Sequence, residues 1–155
     1  MAKYFFDSSA LAKRYVPERG TNFVDSIFAG DHELFYLNLA VLEVSKVFYR
    51  LRDYPQSIEK DSQITDEIFR QMRSKFGADL LRMQKVALTE SMIAYAETIL
   101  EHWYLKSAFD LAHLSAFLIS RQEYPGMIFV SADNPLVTAA RKFVLESEAI
   151  NPENF

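Results

Sequence analysis

Short runs of consecutive apolar residues alternate along this chain with longer stretches whose apolar residues recur every three or four positions. Tyr4-Phe5-Phe6, Leu34 to Leu37 and Met127 to Val130 have almost no polar residue within them. Such runs suit strands buried on both faces, which occur in parallel sheets covered by helices. Val86-Ala87-Leu88 and Ala149-Ile150 are shorter strand candidates. The intervening periodic segments predict helices from Ser9 to about Tyr15, over 21–29, from an N-capping Asn38 to Arg52, from a capping Thr89 to about Trp103, from about Ser107 to Arg121, and from Pro135 to about Val144. Strand and helix in alternation predict an α/β fold with an open parallel sheet covered on both faces. At 155 residues the chain is read as a single domain, 1–155.

The stretch 56–82 is different. Glu59, Lys60, Asp61, Asp66, Glu67, Arg70, Arg73 and Lys75 alternate in sign, while Ile58, Ile64, Ile68, Phe69 and Met72 keep helical spacing. One or two solvent-facing helices are expected there, with a break at Gly77.

Composition narrows the chemistry. There is no cysteine, which excludes a disulfide scaffold, a thiolate metal site and a cysteine nucleophile. Metal chemistry must use oxygen or imidazole ligands. The formal net charge of −4 argues against a general nucleic-acid coat and is compatible with an enzyme that holds acidic groups at one locus. No segment approaches the ~20 apolar residues of a membrane span, so a cytoplasmic protein without a membrane contact is expected.

Two strands end alike: Phe5-Phe6 leads into Asp7-Ser8-Ser9, and Phe129-Val130 into Ser131-Ala132-Asp133. Ligands of open parallel sheets bind beyond the carboxyl ends of strands, so both aspartates fall on the functional edge if these strands are neighbours. Helix capping is the alternative for each. Ser8 or Ser9 can cap after Asp7, and Asn134 before Pro135 is the better placed cap after Asp133. Glu43 sits at the border of a helical apolar stripe near Ala40 and Val47, where a surface pair with Lys46 is the alternative to a site. Asp110 lies on the helix with the least polar face, so its carboxylate must be paired, metal-bound or neutral. His113, one turn on, is either a hydrogen-bonded structural residue or a ligand. Converging carboxylates repel one another unless a cation offsets them, and an all-oxygen set suits Mg²⁺ or Mn²⁺. Phosphodiester hydrolysis is a reaction such a site serves. Lys13, Arg14, Lys46 and Arg50 are candidates to hold phosphates around the site, with ordinary solvated faces as the alternative.

The four acidic segments together resemble the motifs of PIN-domain ribonucleases, in particular the VapC-like toxins of type II toxin–antitoxin pairs. Phe6-Asp7-Ser8-Ser9-Ala10-Leu11 is similar to the first motif, Leu42-Glu43-Val44 to the second, Asp110-Leu111-Ala112-His113-Leu114-Ser115 to the third, and Val130-Ser131-Ala132-Asp133-Asn134-Pro135 to the fourth. Leu111 and Ser115 replace the commoner alanines of the third motif. The resemblance implies a three-layer α/β/α sandwich around a short, mainly parallel sheet. It implies an endoribonuclease dependent on one or two Mg²⁺ or Mn²⁺ ions, with Asp7, Glu43, Asp110 and Asp133 as the acidic set and Ser9 and Ser131 supporting it. It also implies an antitoxin partner and a homodimer. A catalytically silent RNA- or protein-binding module of the same fold is the alternative. No glycine-rich phosphate loop is present, and Asp7-Ser8-Ser9 lacks the second acid that a haloacid-dehalogenase-like phosphatase or a receiver domain would place after strand one.

Overall fold

The computed structural model describes residues 1–54 and 63–155. Its elements run β1 (Lys3–Phe6), α1 (Ser8–Ala12), α2 (Thr21–Ala29), β2 (Glu33–Leu37), α3 (Leu39–Asp53), α4 (Asp66–Arg82), β3 (Gln84–Val86), α5 (Glu90–Leu100), α6 (Ala108–Glu123), β4 (Ile128–Val130), α7 (Asn134–Ala140) and β5 (Ala149–Ile150). The five strands form one sheet in the order β3-β2-β1-β4-β5. Every pairing is parallel, with Phe5 opposite Phe35 on one side and Phe129 on the other.

Successive side chains of a strand leave opposite faces of the sheet. Phe5, Phe35, Leu37 and Phe129 point into one core, with Met92, Ile99, Leu114, Phe117 and Leu136 from α5, α6 and α7. Phe6, Leu34, Tyr36 and Val130 point into the other, with Leu11, Val24, Phe28, Val44, Phe48 and Phe76 from α1 to α4. This is the α/β/α sandwich expected from the alternating pattern, and its sheet is parallel throughout. Among the described residues no helix is long and apolar enough to cross a membrane.

Several element boundaries differ from the sequence reading. Three helices stop short of the predicted ends at Tyr15, Trp103 and Val144. In each, the last apolar positions lie in tight turns closed by i→i−3 bonds, such as Tyr15 N to Ala12 O, His102 N to Ile99 O and Phe143 N to Ala140 O. The third strand begins two residues earlier than Val86-Ala87-Leu88, because Gln84 and Lys85 occupy the exposed sheet edge, where polar side chains are stable. Asn38 does not cap α3 with its side chain, which instead accepts from Leu88 N at 3.2 Å and ties β3's outgoing loop to β2.

In the charged stretch, residues 55–62 lie outside the described residues. α4 then runs through Gly77 without a break, since a helical glycine costs only about 1 kcal/mol and this one faces open space. The helix buries one stripe, Phe69, Met72, Phe76 and Asp79. Asp79 is 5% exposed and accepts from Tyr15 Oη (3.1 Å) and Arg14 Nε (3.2 Å). Arg14 also reaches Asp25 at 2.6 Å and lies over the Phe28 ring. Burial and the Asp79 charge push the Tyr15 hydroxyl pKa up, so it remains a donor. Thus α4 is locked to the turn after α1, and through Arg14 to α2, by a partly buried charge network. Asp79→Ala would leave the Arg14 charge and the Tyr15 hydroxyl without this acceptor, and is expected to cost about 3 kcal/mol of stability in urea unfolding.

Candidate active site

β1 and β4 are neighbours, with Phe6 opposite Val130, and Asp7 N donates to Val130 O at 2.9 Å. The chain passes from β1 through β2 to β3 on one side and resumes with β4 on the other, so the sheet's switch point lies between β1 and β4. Asp7 and Asp133 stand beyond that point.

Both aspartates cap helices, contrary to the expectation that serine and Asn134 would do so. Asp7 Oδ2 accepts from Ser9 N (3.2 Å) and Asp133 Oδ1 from Leu136 N (2.9 Å). The serines are used elsewhere. Ser9 Oγ donates to Asp7 Oδ2 at 2.6 Å, and Ser131 Oγ donates to the same oxygen at 3.0 Å. Each hydroxyl also accepts a backbone N–H of the β4 loop, Ala132 N on Ser9 and Asp133 N on Ser131. Asn134 is held by Asn151 Nδ2 at 2.8 Å. Capping does not exhaust either carboxylate. Asp7 Oδ1 is buried with no hydrogen bond, and Asp133 Oδ2 has none among the described residues.

α3 brings Glu43 to the same place. It makes no pair with Lys46. Its Oε1 lies 2.6 Å from His113 Nε2 and its Oε2 accepts from Ser8 Oγ at 2.8 Å. His113 is fully buried on α6, and its Nε2 is also 3.8 Å from Asp7 Oδ1. Asp110 precedes it by one turn, on a helix capped by Ser107. The Asp110 carboxyl pKa is raised to about 6, first by burial and then by the charges of Asp7, Asp133 and Glu43, with His113 opposing. Burial pulls the His113 pKa down, but the Glu43 bond and the Asp7, Glu43 and Asp110 charges outweigh it and leave it raised. An imidazolium on His113 is therefore a cation inside the acidic group.

Among the described residues, no three histidine, aspartate or glutamate side chains form a ready-made cation cage. The donor chemistry nevertheless suits a hard cation. Asp7 offers an orphaned buried oxygen, Asp110 has no side-chain hydrogen bond, and Asp133 keeps one oxygen free. Glu43 would have to exchange Ser8 or His113 for a metal.

The four phosphate candidates divide. Lys13 is 3% exposed and paired with Glu18 and Glu153, at 3.0 and 2.6 Å, while Arg14 belongs to the Asp79 network. Neither reaches the site. Lys46 and Arg50 are exposed, have no ion pair among the described residues, and line a groove of about 720 Å³ with Ser8, Glu43, Leu42 and Phe109. Ser8 and the Glu43–His113 bond were not foreseen. Only the proximity of Ser8 to Asp7 hinted at the first, and nothing local hints at a bond spanning 70 positions. Compared with known proteins, the chain matches no family model and no curated relative.

The folded protein without divalent metal keeps the Asp110 proton up to about pH 6, whereas an unperturbed aspartate loses it near 3.8. The native state binds more protons across that window, so this contribution to stability is present below 3.8 and is lost as pH rises through about 6. Asp110→Asn is expected to melt above wild type at neutral pH in EDTA, with the advantage disappearing as pH falls below the window.

Proposed function

We propose that the chain is a Mg²⁺- or Mn²⁺-dependent endoribonuclease, the toxin of a cytoplasmic toxin–antitoxin pair. The observation that carries this reading is the bare, buried Oδ1 of Asp7 beyond the switch point of a parallel sheet, where His113 links Glu43 to the same place. Asp7, Asp110 and Asp133 would hold the ion, joined by Glu43 after release from one partner. Bound there, the ion supplies Lewis-acid polarisation of the phosphodiester and an acidified water.

The chain's own groups do the rest. Ser9 and Ser131 aim Asp7 by holding Oδ2, so that Oδ1 faces the site. His113 holds Glu43 through Oε1. Lys46 and Arg50 hold phosphates of the substrate strand, three and seven residues beyond Glu43 on α3. No protein nucleophile is required. The groove's apolar wall, including exposed Leu42 and Phe109, suits an antitoxin segment as occupant when RNA is absent. The resemblance to VapC-like toxins, which carries the toxin role, also supports a homodimer.

A catalytically silent module is the competing reading, favoured by the engagement of both Glu43 oxygens. Cleavage of a mixed RNA pool separates the two. Wild type is expected to cleave with Mn²⁺ and not with EDTA, and Mn²⁺ at ~100 times its dissociation constant should stabilise the fold by about 2.7 kcal/mol. Ser131→Ala is expected to lose roughly 10–100-fold in activity or metal affinity, and Asp7→Asn more than that. Undetectable cleavage across divalent metals, with no rise in melting temperature, overturns the enzyme reading.

A further inference from the structure

The turn between α5 and α6 carries Trp103, Tyr104 and Lys106. With Leu105, Asn134, Pro135 and Thr138 they line a second cavity of about 480 Å³. Asn134 and Pro135 directly follow Asp133, and Lys106 leads through the Ser107 cap into the turn that holds Asp110. The larger groove is lined by Glu43 itself, whereas this cavity is lined by residues next in sequence to Asp133 and by none of the four acids.

Its surface is unusual for a structural turn. Tyr104 is 79% exposed and has no ring or hydrogen-bond partner among the described residues. Trp103 is half-buried against the α5–α7 core, which immobilises the indole, and the Lys142 ammonium lies 5.0 Å from its ring centroid. Neither Lys106 nor Lys142 has a carboxylate partner among the described residues. An exposed aromatic ring beside lysines without carboxylate partners suits single-stranded nucleic acid: a base stacks and phosphates meet ammonium groups. An apolar protein helix laid here would cover both cations without compensating them.

We propose that this cavity is a second nucleotide subsite, in which Tyr104 stacks on a base of an RNA single strand, Lys106 meets its phosphate and Trp103, with Lys142 at its ring, forms the cavity wall. Its place beside a scissile bond rests on the nuclease reading. Its affinity for a strand does not.

Trp103 is the only tryptophan of the chain, so its fluorescence reports the cavity directly. The full-length protein is titrated with a hexameric oligoadenylate in EDTA. Saturable quenching is expected, and ribose 5-phosphate at equal phosphate concentration should leave the signal unchanged. Tyr104→Ala should weaken binding at least about fivefold, the lower bound for one base–aromatic stack, and Tyr104→Phe should restore it. Lys106→Ala should lower the slope of log affinity against log salt by ~0.7. Both side chains are exposed, so neither variant threatens the fold. No quenching, or equal affinity for wild type and Tyr104→Ala, overturns the proposal. Cleavage in Mn²⁺ is measured in parallel. Quenching that depends on Tyr104 without any RNA cleavage keeps the subsite and sinks the nuclease reading. Cleavage with unchanged KM in Tyr104→Ala, and no quenching, does the reverse.

Discussion

Backbone hydrogen bonding between β1 and β4 sets Phe6 beside Val130 and carries both chains off the sheet into the same space. Everything at the acidic cluster follows from that adjacency. Each strand ends in a short polar turn before a helix, so each turn needs an acceptor for the first orphaned N–H groups of its helix. Asp7 and Asp133 supply those acceptors. Two serines then bind the turns to one another, since Ser9 takes Ala132 N and Ser131 gives its proton to Asp7. A slip of one residue in the β1–β4 register would send Asp7 to the other face and dismantle the web.

The arrangement shows why capping and site formation are compatible in one residue. A carboxylate has two oxygens and roughly four lone-pair directions. In Asp7, three donors converge on Oδ2, and Oδ1 is left bare and buried. Asp110 has no such donors, and its carboxyl gives way instead, rising toward neutrality. The cluster thus contains one carboxylate tied down by three donors and one that has none and responds to the charge around it. His113, buried beside Glu43 and hydrogen-bonded to it, has its pKa raised by that bond and by the Asp7, Glu43 and Asp110 charges, against the lowering effect of burial.

What the residue order made legible was whatever depends on local pattern. Fully apolar runs marked β1, β2 and β4 because a doubly covered strand has no polar face. The nearly apolar α6 was recognisable for the same reason, and it made Asp110 conspicuous. The edge strand β3 was displaced because Gln84 and Lys85 belong to a solvent-exposed edge, where the apolar criterion fails. Lys13 and Arg14 were misplaced because nearness to Asp7 in sequence says nothing of side-chain direction. Their partners, Glu153 and Asp79, lie 140 and 65 positions away. Asp79 itself was hidden in a charged stretch where only the packing of α4 on α3 and on the turn after α1 distinguishes it from its solvated neighbours.

The distribution of charge also limits how a polyanion could be handled. With a net charge of −4 the protein does not attract nucleic acid at long range, and its acidic cluster opposes a phosphate until a cation is bound. Many of its basic side chains are already committed: Lys13 to Glu18 and Glu153, Arg14 to Asp25 and Asp79, Arg52 to Asp53, Arg121 to Glu148. Among the described residues, basic side chains without a carboxylate partner include Lys46 and Arg50 along α3, in the groove that Glu43 lines, and Lys106 with Lys142 around Trp103. Recognition by so few cations has a shallow salt dependence and must draw its remaining affinity from short-range contacts. Exposed aromatic side chains, Phe109 in the groove that Glu43 lines and Tyr104 in the second cavity, are of the kind that provides them.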